Sequence, residues 1–324
     1  MLLFCQKSNC LEEAAADRGI ISYSAALDER RTSSMICSQC PRHCHALRDD
    51  TRGFGICGMP EVPVLARAAL HYWEEPPISG TQGSGAIFFS GCALHCVFCQ
   101  NEEISHRNFG KPITVERLKE ICRELVRQGA HNLNFVSPTH YAHILADVTE
   151  EDYGVPVVYN TGGYDTVETL KTLEGKVDVY LPDLKYLDAD TARKYSGAED
   201  YPEVAEAAIL EMYRQTGPVV MKDGLIQRGV VIRHLILPGQ LEAAKHVMDW
   251  TAETFPPGAV LFSLMSQYIP WGEAEKYPEI NRKLRKSEIR SANTYMANLG
   301  LEGFVQEGAS AEDSFIPPFD LTGV

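Results

Sequence analysis

Short apolar runs that alternate with helix-forming segments are the feature that most limits how this 324-residue chain can fold. The runs are mainly apolar and do not alternate strictly with polar residues, which is typical of parallel strands covered by helices on both faces. The segments between runs are long enough to connect parallel neighbours. Six such units predict an α/β fold, a partial (β/α)6 barrel related to the complete eight-unit barrel. The runs lie at residues 86–90, 133–136, 155–159, 177–181, 230–237 and 260–265, and the helical segments at 114–129, 141–148, 166–173, 201–216, 240–254 and 281–299.

A turn-rich stretch at residues 76–85 precedes the first apolar run and indicates a domain boundary. We expect residues 1–80 to form a small cysteine-rich appendage. Residues 81–324 are expected to form the barrel together with a C-terminal extension.

The composition indicates a globular protein of the cytoplasm. With 44% hydrophobic residues the chain can bury a large core, and its start, MLLFCQKSNCLEEAAADRG, lacks the basic and apolar regions of a signal peptide. No apolar run approaches the roughly 18 residues of a membrane span. A formal net charge of −14 disfavours non-specific binding to nucleic acid. We therefore expect neither a membrane partner nor a nucleic-acid partner.

Ten cysteines are many for a chain in a reducing compartment, where closely spaced thiols are better explained by metal or cluster ligation than by disulfides. Cys122 is an exception, because it lies on the apolar face of the helical segment 114–129 and is predicted to be a core residue. Thr114 is predicted to cap the start of this helix. The other nine cysteines lie at or before Cys99. Two of them, Cys5 and Cys10, are isolated, and no role is predicted for them.

Three cysteines follow the first apolar run at the spacing Cys92-x3-Cys96-x2-Cys99, and Phe98 immediately precedes the last one. Three thiolates on a loop at the end of a strand are consistent with a zinc site that lacks one ligand, with coincidence, or with three corners of an iron–sulfur cluster. His95 within the loop is either a hydrogen-bond donor to a thiolate or merely solvated. The spacing and the aromatic residue resemble the signature of the radical S-adenosylmethionine (SAM) superfamily.

This resemblance implies a barrel of the radical SAM type, with a 4Fe-4S cluster and SAM as cofactors. In that family three cysteines leave one iron without a protein ligand, and the amino and carboxylate groups of SAM bind it. An electron from the reduced cluster then cleaves the sulfonium C–S bond and releases a 5′-deoxyadenosyl radical. Phe98 is expected to lie against the adenine.

From Arg67 to the C-terminus the chain also resembles the group of pyruvate formate-lyase activating enzyme-like proteins. The shared phrases are GCALHCVFCQNEEIS, NFVSPTHY, YNTGGYD, YLPDLKY, RHLILPG and QEGASAEDSFIPPFD. The resemblance implies a radical SAM oxidoreductase that takes hydrogen from an unknown substrate, such as a glycyl-radical enzyme, a peptide or a small metabolite. It also implies an electron donor such as flavodoxin or ferredoxin.

The resemblance further implies cofactor contacts after the second strand, where many members carry Gly-Gly-Glu. This chain departs from that pattern and reads SPTHY at residues 137–141. Ser137, Thr139 or His140 is expected to bind the amino group of SAM, with His140 preferred. The alternative is that Pro138 simply turns the chain.

Three later strand ends carry further residues that resemble cofactor contacts. Asn160 is expected to contact the cofactor, although the glycines that follow it are also explained by a turn. Lys185 is expected to face the SAM carboxylate, and the alternative is an ion pair with Asp183. Arg233 can engage a carboxylate through two parallel hydrogen bonds, or it packs at the rim of the barrel.

Polar residues near the end of the chain are predicted to line the substrate side of the barrel or to cap it. These are Ser266, Gln267, Tyr268, Gln306 and Glu307.

A second group of thiols lies in the predicted appendage and comprises Cys37, Cys40, Cys44 and Cys57. Four thiolates complete a tetrahedral zinc or iron site or saturate a second 4Fe-4S cluster, and His43 or His45 is able to replace one ligand. The spacing does not match the bacterial ferredoxin run. Free cysteines are the remaining alternative.

Two classes of function follow from these features. In the first the chain is a radical SAM enzyme, and in the second it is a non-catalytic iron–sulfur or zinc adaptor protein. Polar residues such as Glu102, Glu103 and those from Asn160 to Lys185 favour the enzyme, because the carboxyl ends of barrel strands converge on active sites.

Overall fold

The computed structural model describes residues 35–305 and 317–324, which belong to a compact unit formed by residues 34–324. Cys5 and Cys10 lie outside the described residues, as do Gln306 and Glu307. None of the helices in the described part of the chain is both long enough and apolar enough to cross a membrane.

Parallel strands form the centre of a ten-stranded sheet, as the apolar runs predict. The strands are β1 (Met35–Ile36), β2 (Leu47–Arg48), β3 (Val64–His71), β4 (Ser84–Phe89), β5 (Lys111–Pro112), β6 (Leu133–Val136), β7 (Val157–Thr161), β8 (Val179–Pro182), β9 (Val220–Lys222), β10 (Leu225–Leu235), β11 (Leu261–Met265) and β12 (Gly303–Val305). The order β12-β11-β10-β8-β7-β6-β4 is parallel throughout. The six predicted strands are therefore confirmed, and β12 adds a parallel neighbour to the last of them.

Helices connect these strands and cover the sheet. They are α1 (Pro76–Ser79), α2 (Glu102–Ser105), α3 (Val115–Arg127), α4 (Ala142–Val148), α5 (Val167–Lys171), α6 (Ala189–Ser196), α7 (Tyr201–Thr216), α8 (Leu241–Thr254) and α9 (Lys286–Leu299), with 3-10 turns at Thr139–Tyr141 and Gly272–Lys276. Thr114 caps α3 as predicted, because its hydroxyl accepts a hydrogen bond from Arg117 N at 3.1 Å. Cys122 on the same helix is fully buried, which confirms its predicted core position.

The strand that leads to the three-cysteine loop shows why the parallel pattern positions the site. Every residue of β4 is buried, because β3 and β6 pair with its two edges while both of its faces are covered. The chain leaves β4 at the carboxyl edge of the sheet, where β6, β7, β8 and β10 also end. We call residues 90–101, which follow β4, the cysteine loop.

The segment before β4 contributes to the same sheet. β3 pairs antiparallel with β4 from Leu65 to His71, and β5 pairs with the other edge of β3. A short hairpin of β1 and β2 precedes β3 and contains Cys37 and Cys40 close to its first strand. The described part of the cysteine-rich segment therefore combines a hairpin with an edge of the barrel sheet.

Candidate active site

A cavity of about 230 Å³ lies at the carboxyl edge of the sheet, between the cysteine loop and the ends of the central strands. Active sites of (β/α) barrels lie at this edge, because the loops after successive strands meet there. The lining includes Cys92, Cys96, Phe98, Cys99, Ser137, Asn160, Asp183, Lys185, Arg233 and Gln267.

The three cysteines of the cysteine loop all face this cavity, although the loop is short. Two left-handed backbone positions make the turn, Gly91 with a φ of 84° and His95 with a φ of 51°. A Cβ atom on residue 91 would lie 2.3 Å from Met59 Cγ, so the glycine is needed for packing as well as for its φ. The loop therefore brings Cys92, Cys96 and Cys99 together as the spacing predicts.

Hydroxyl groups contact two of these thiols. Ser105 Oγ donates to Cys99 Sγ at 3.2 Å, and Ser196 Oγ lies 3.0 Å from Cys96 Sγ. His106 in turn places its Nδ1 2.7 Å from Ser105 Oγ. No spacing in the sequence indicates these two serine contacts, which only the tertiary structure reveals.

Burial determines the protonation of the loop thiols. It raises the pKa of Cys99 to about 12 with a further contribution from Cys96, and it also raises the pKa of Cys96. Both thiols are therefore protonated at neutral pH in the absence of a metal. Binding of iron must displace these protons, since the thiolate is the ligand form.

Charged groups also line the cavity. The carboxylate of Asp183 contacts Lys185 Nζ and lies 2.8 Å from Arg233 Nε. Arg233 also donates from Nη2 to Asn160 Oδ1 at 2.6 Å and from Nη1 to Glu74 Oε2 at 3.4 Å. The structure thus joins the three residues predicted from strand ends in one network, through Asp183 and the unpredicted Glu74.

The network stabilises its members in the charged form, with one exception. Burial raises the pKa of Asp183, but Arg233 and Lys185 outweigh burial and hold it below its usual range. Burial likewise lowers the pKa of Lys185, yet Asp183 more than compensates and the net change is upward. Glu74 is the exception, because burial raises its pKa more than Arg233 lowers it.

Of the three residues after β6 that were expected to contact the cofactor, only one lines the cavity. Ser137, with a φ of 57°, lines the cavity, whereas Thr139 Oγ1 pairs with Thr161 Oγ1 at 3.3 Å. His140 is buried, and its Nε2 lies 2.8 Å from the carbonyl oxygen of Ser90, to which the neutral ring donates. Burial and the Arg48 cation lower the pKa of His140 to about 3, so the ring stays neutral. Contact between His140 and the cofactor stays a prediction.

Aromatic residues support the end of the cysteine loop. Phe98 is buried at the cavity wall, where its ring centroid lies 5.9 Å from that of Tyr268. Tyr268 is buried, and its hydroxyl donates to the carbonyl oxygen of Ile280 at 2.9 Å. Gln267 lines the cavity. His95 is half-buried and stacks on His106 with ring centroids 4.8 Å apart. A hydrogen bond from His95 to a thiolate stays a prediction.

The four thiols of the amino-terminal cysteine group (Cys37, Cys40, Cys44 and Cys57) lie close to one another. Burial raises the pKa of Cys40 to about 12, and the three other thiols all contribute to this rise. A Cβ atom on Gly55 would lie 2.8 Å from Cys44 Sγ, so glycine leaves the room that this sulfur occupies. The fold therefore brings Cys57 near Cys37, although 19 residues separate them in the sequence.

A buried cation accompanies this group. Arg48 is 1% exposed, and its Nη1 lies 3.6 Å from Cys37 Sγ and 2.6 Å from the carbonyl oxygen of His140. The guanidinium also stacks on the Tyr141 ring at 4.9 Å. A fixed positive charge favours thiolates over thiols, which suits a site with several anionic sulfurs.

Within the described residues, no three His, Cys, Asp or Glu side chains are arranged closely enough to hold a single metal ion. A cluster of several irons takes one thiolate at each iron, so its ligands do not have to converge on one point.

Comparison with known proteins places the site in context. The model of the "Radical SAM superfamily" matches residues 86–250, which include the cysteine loop and the strands up to β10. "Uncharacterized protein MJ0674" of Methanocaldococcus jannaschii is 33% identical over 266 residues, 79% of this chain and 72% of the relative.

Two solved structures are similar to the chain at low identity. SuiB of Streptococcus suis bound to S-adenosylmethionine is 16% identical, with a TM-score of 0.47, over 67% of this chain and 48% of SuiB. The chain thus matches about half of the length of SuiB. Methylornithine synthase (PylB) is 17% identical, with a TM-score of 0.46, over 74% of this chain and 72% of the synthase.

Proposed function

The chain belongs to the radical SAM superfamily, and we propose that it is an enzyme that uses S-adenosylmethionine and a 4Fe-4S cluster to abstract hydrogen from a peptide or a glycyl-radical enzyme. The observation that carries the proposal is the convergence of Cys92, Cys96 and Cys99 on one cavity that the charged residues Asp183, Lys185 and Arg233 also line. When bound, the reduced cluster supplies one electron that cleaves SAM into methionine and the 5′-deoxyadenosyl radical.

The residues around the cavity suit both cofactors. The thiols of Cys92, Cys96 and Cys99 provide one ligand each for three irons, and the described lining contains no fourth cysteine for the remaining iron. Lys185 offers a cation for the SAM carboxylate, while Asp183 and Asn160 offer oxygens for its amino group. Phe98 provides an apolar surface for the adenine.

A protein or peptide substrate is supported by a second depression beside the cavity. It has a volume of about 720 Å³, and Gln100 lines both spaces. Trp271 in its wall is 40% exposed, and Phe109 and Glu103 lie in the same wall. An extended segment bound there would lead towards the cavity, which would place one of its residues beside the cofactor.

Hydrogen transfer to the cofactor product tests this proposal. The cluster-loaded enzyme is incubated with SAM, dithionite and deuterated peptides or deuterated partner protein, and the 5′-deoxyadenosine is analysed by mass spectrometry. A mass gain of one unit identifies the hydrogen donor. Product without deuterium from any such donor removes the proposed substrate class, and no product at all favours an adaptor without turnover.

We further propose that the amino-terminal cysteine group binds one coordinatively closed cluster of several irons, because its described side chains do not converge on a single ion. The proximity of its four thiols and the buried Arg48 support the site, and the centre stabilises the segment because ligand assembly is coupled to folding. Since burial raises the pKa of Cys40 to about 12, binding displaces protons, and metal affinity falls as the pH falls.

A further inference from the structure

Arg42 links the amino-terminal cysteine group to the cysteine loop. Its N–H donates a hydrogen bond to the Cys40 thiol, while its side chain extends into the barrel. There Nε donates to the carbonyl oxygen of Ala93 at 2.7 Å, and Nη2 donates to that of Leu94 at 3.4 Å. Both carbonyls belong to the part of the loop between the first two cysteines, so a single side chain fixes this stretch.

The same guanidinium also holds the C-terminal end of α6. Its Nη2 donates to the carbonyl oxygen of Ser196 at 2.8 Å, and Nη1 donates to that of Gly197. Gly197 ends the helix with a φ of 55°, which leaves the last carbonyls without helical partners. Arg42 supplies the missing donors and thereby sets where Ser196 lies.

The position of Ser196 matters because its hydroxyl lies 3.0 Å from Cys96 Sγ. A thiolate bound to iron carries no proton, so Ser196 must donate in this contact. Tyr186 OH lies 3.0 Å from Ser196 Oγ and is able to donate to it in turn. Ser196 and Tyr186 are both almost fully buried, so water does not compete for these bonds.

We infer that Arg42 is a positioning residue that holds Ser196 against Cys96 and thereby raises the reduction potential of the radical cluster. The physical reason is that a hydrogen bond to a cluster sulfur stabilises the more negative, reduced form. The inference rests on the proposed function, because it requires a cluster at the cysteine loop. The inference gives Arg42, in the cysteine-rich segment, an influence on electron transfer to the cluster. Arg42 itself is not among the residues that line the cavity.

The test compares midpoint potentials of the cluster in the full-length protein, by redox titration followed with EPR spectroscopy. Ser196→Ala should lower the ratio of reduced to oxidised cluster at a fixed potential by on the order of tenfold, about 59 mV for one electron. Arg42→Ala should shift the potential in the same direction. In the Ser196→Ala background Arg42→Ala should have no further effect, because the bond is already absent.

Ser105→Ala is the matched control, because Ser105 donates to Cys99 and has no contact with Arg42. Its shift should add to that of Arg42→Ala. If Arg42→Ala does not fold, Arg42→Lys takes its place, since an ammonium group cannot reach all four carbonyls at once. Two results overturn the inference. One is a shift of the midpoint potential by Arg42→Ala that is equal in the wild-type and Ser196→Ala backgrounds, and the other is no shift by Arg42→Ala in either background. Failure of the wild type to assemble a 4Fe-4S cluster overturns the proposed function instead.

Discussion

Arg233 Nε lies 2.8 Å from Asp183 Oδ1, and the same two residues form a backbone bridge where β8 and β10 end side by side. Asn160 and Glu74 accept two further hydrogen bonds from this guanidinium. The cation is thus bound by protein groups on three sides. Arg233 consequently acts on the cavity by orienting Asp183, which in turn contacts Lys185.

Removal of the Arg233 cation should destabilise the fold. Arg233→Met leaves Glu74 and Asp183 without their shared partner, and their side chains are only 10% and 16% exposed. Loss of one partner of a buried ion pair costs about 3 to 5 kcal/mol, and denaturant unfolding of the apoprotein measures it. Arg193→Met is the control, because the exposed ion pairs of Arg193 with Asp190 and Glu199 should each contribute less than about 1 kcal/mol. Equal losses in both variants would contradict a buried network.

Lys185→Ala should weaken SAM binding while the cluster remains loaded, because it removes a cation at the carboxylate and leaves all three thiols in place. A charge-assisted hydrogen bond of about 1.5 to 3 kcal/mol corresponds to at least a tenfold loss of affinity. Anaerobic calorimetry with the cluster-loaded protein measures the affinity, and iron analysis measures loading. Lys245→Ala on the surface of α8 is the control. An unchanged affinity would assign Lys185 to the ion pair with Asp183 alone.

Substitution of Cys37, Cys40, Cys44 and Cys57 by serine should remove one metal centre and leave the cluster at the cysteine loop intact. Metal analysis with Mössbauer spectroscopy distinguishes the two sites. Cys122→Ala is the control, since this core thiol belongs to neither group. Identical metal content in wild type and the fourfold variant would show that the four thiols are free.

The free energy of unfolding should decrease as the pH is lowered from about 7 to about 4. Burial lowers the pKa of His234 to about 4, that of His143 to about 4 and that of His140 to about 3, against an ordinary value of 6.5. Below pH 6.5 the unfolded chain therefore binds protons that the native chain excludes, and the free energy of unfolding decreases.

His234→Asn tests this pH dependence, because the asparagine amide retains a donor near the position of Nδ1, which contacts the carbonyl oxygen of Leu184 at 2.7 Å in His234. Urea unfolding of the apoprotein measures the free energy of unfolding at each pH in this range. The slope of that free energy against pH should correspond to about one proton fewer in the variant than in wild type. Parallel curves for wild type and variant would show that His234 titrates normally in the native state.

Periodic features of the sequence predicted most of the fold. The mainly apolar β4 and β6 were recognisable because both of their faces are buried, and α3 was recognisable from its apolar face and its Thr114 cap. Helix α6 was missed, because ADTARKYS contains few apolar residues and its packing depends on partners elsewhere in the chain.

The site could be predicted only where its residues are close in sequence or follow a strand. The cysteine spacing identified the loop, and strand ends identified Asn160, Lys185 and Arg233. Ser196 contacts Cys96 across 100 residues, and Glu74 contacts Arg233 across 159. Single serine and glutamate residues have no characteristic spacing, so only the tertiary structure reveals them.

The most direct measurement of the central claim is formation of 5′-deoxyadenosine by the anaerobically reconstituted protein after addition of SAM and dithionite. Wild type should form it, and the variant with Cys92→Ala, Cys96→Ala and Cys99→Ala should not, because the cluster loses all its protein ligands. The fourfold serine variant of the amino-terminal cysteine group serves as the matched control and should retain product formation. Product at the wild-type level from the triple alanine variant would contradict a radical cluster at the cysteine loop.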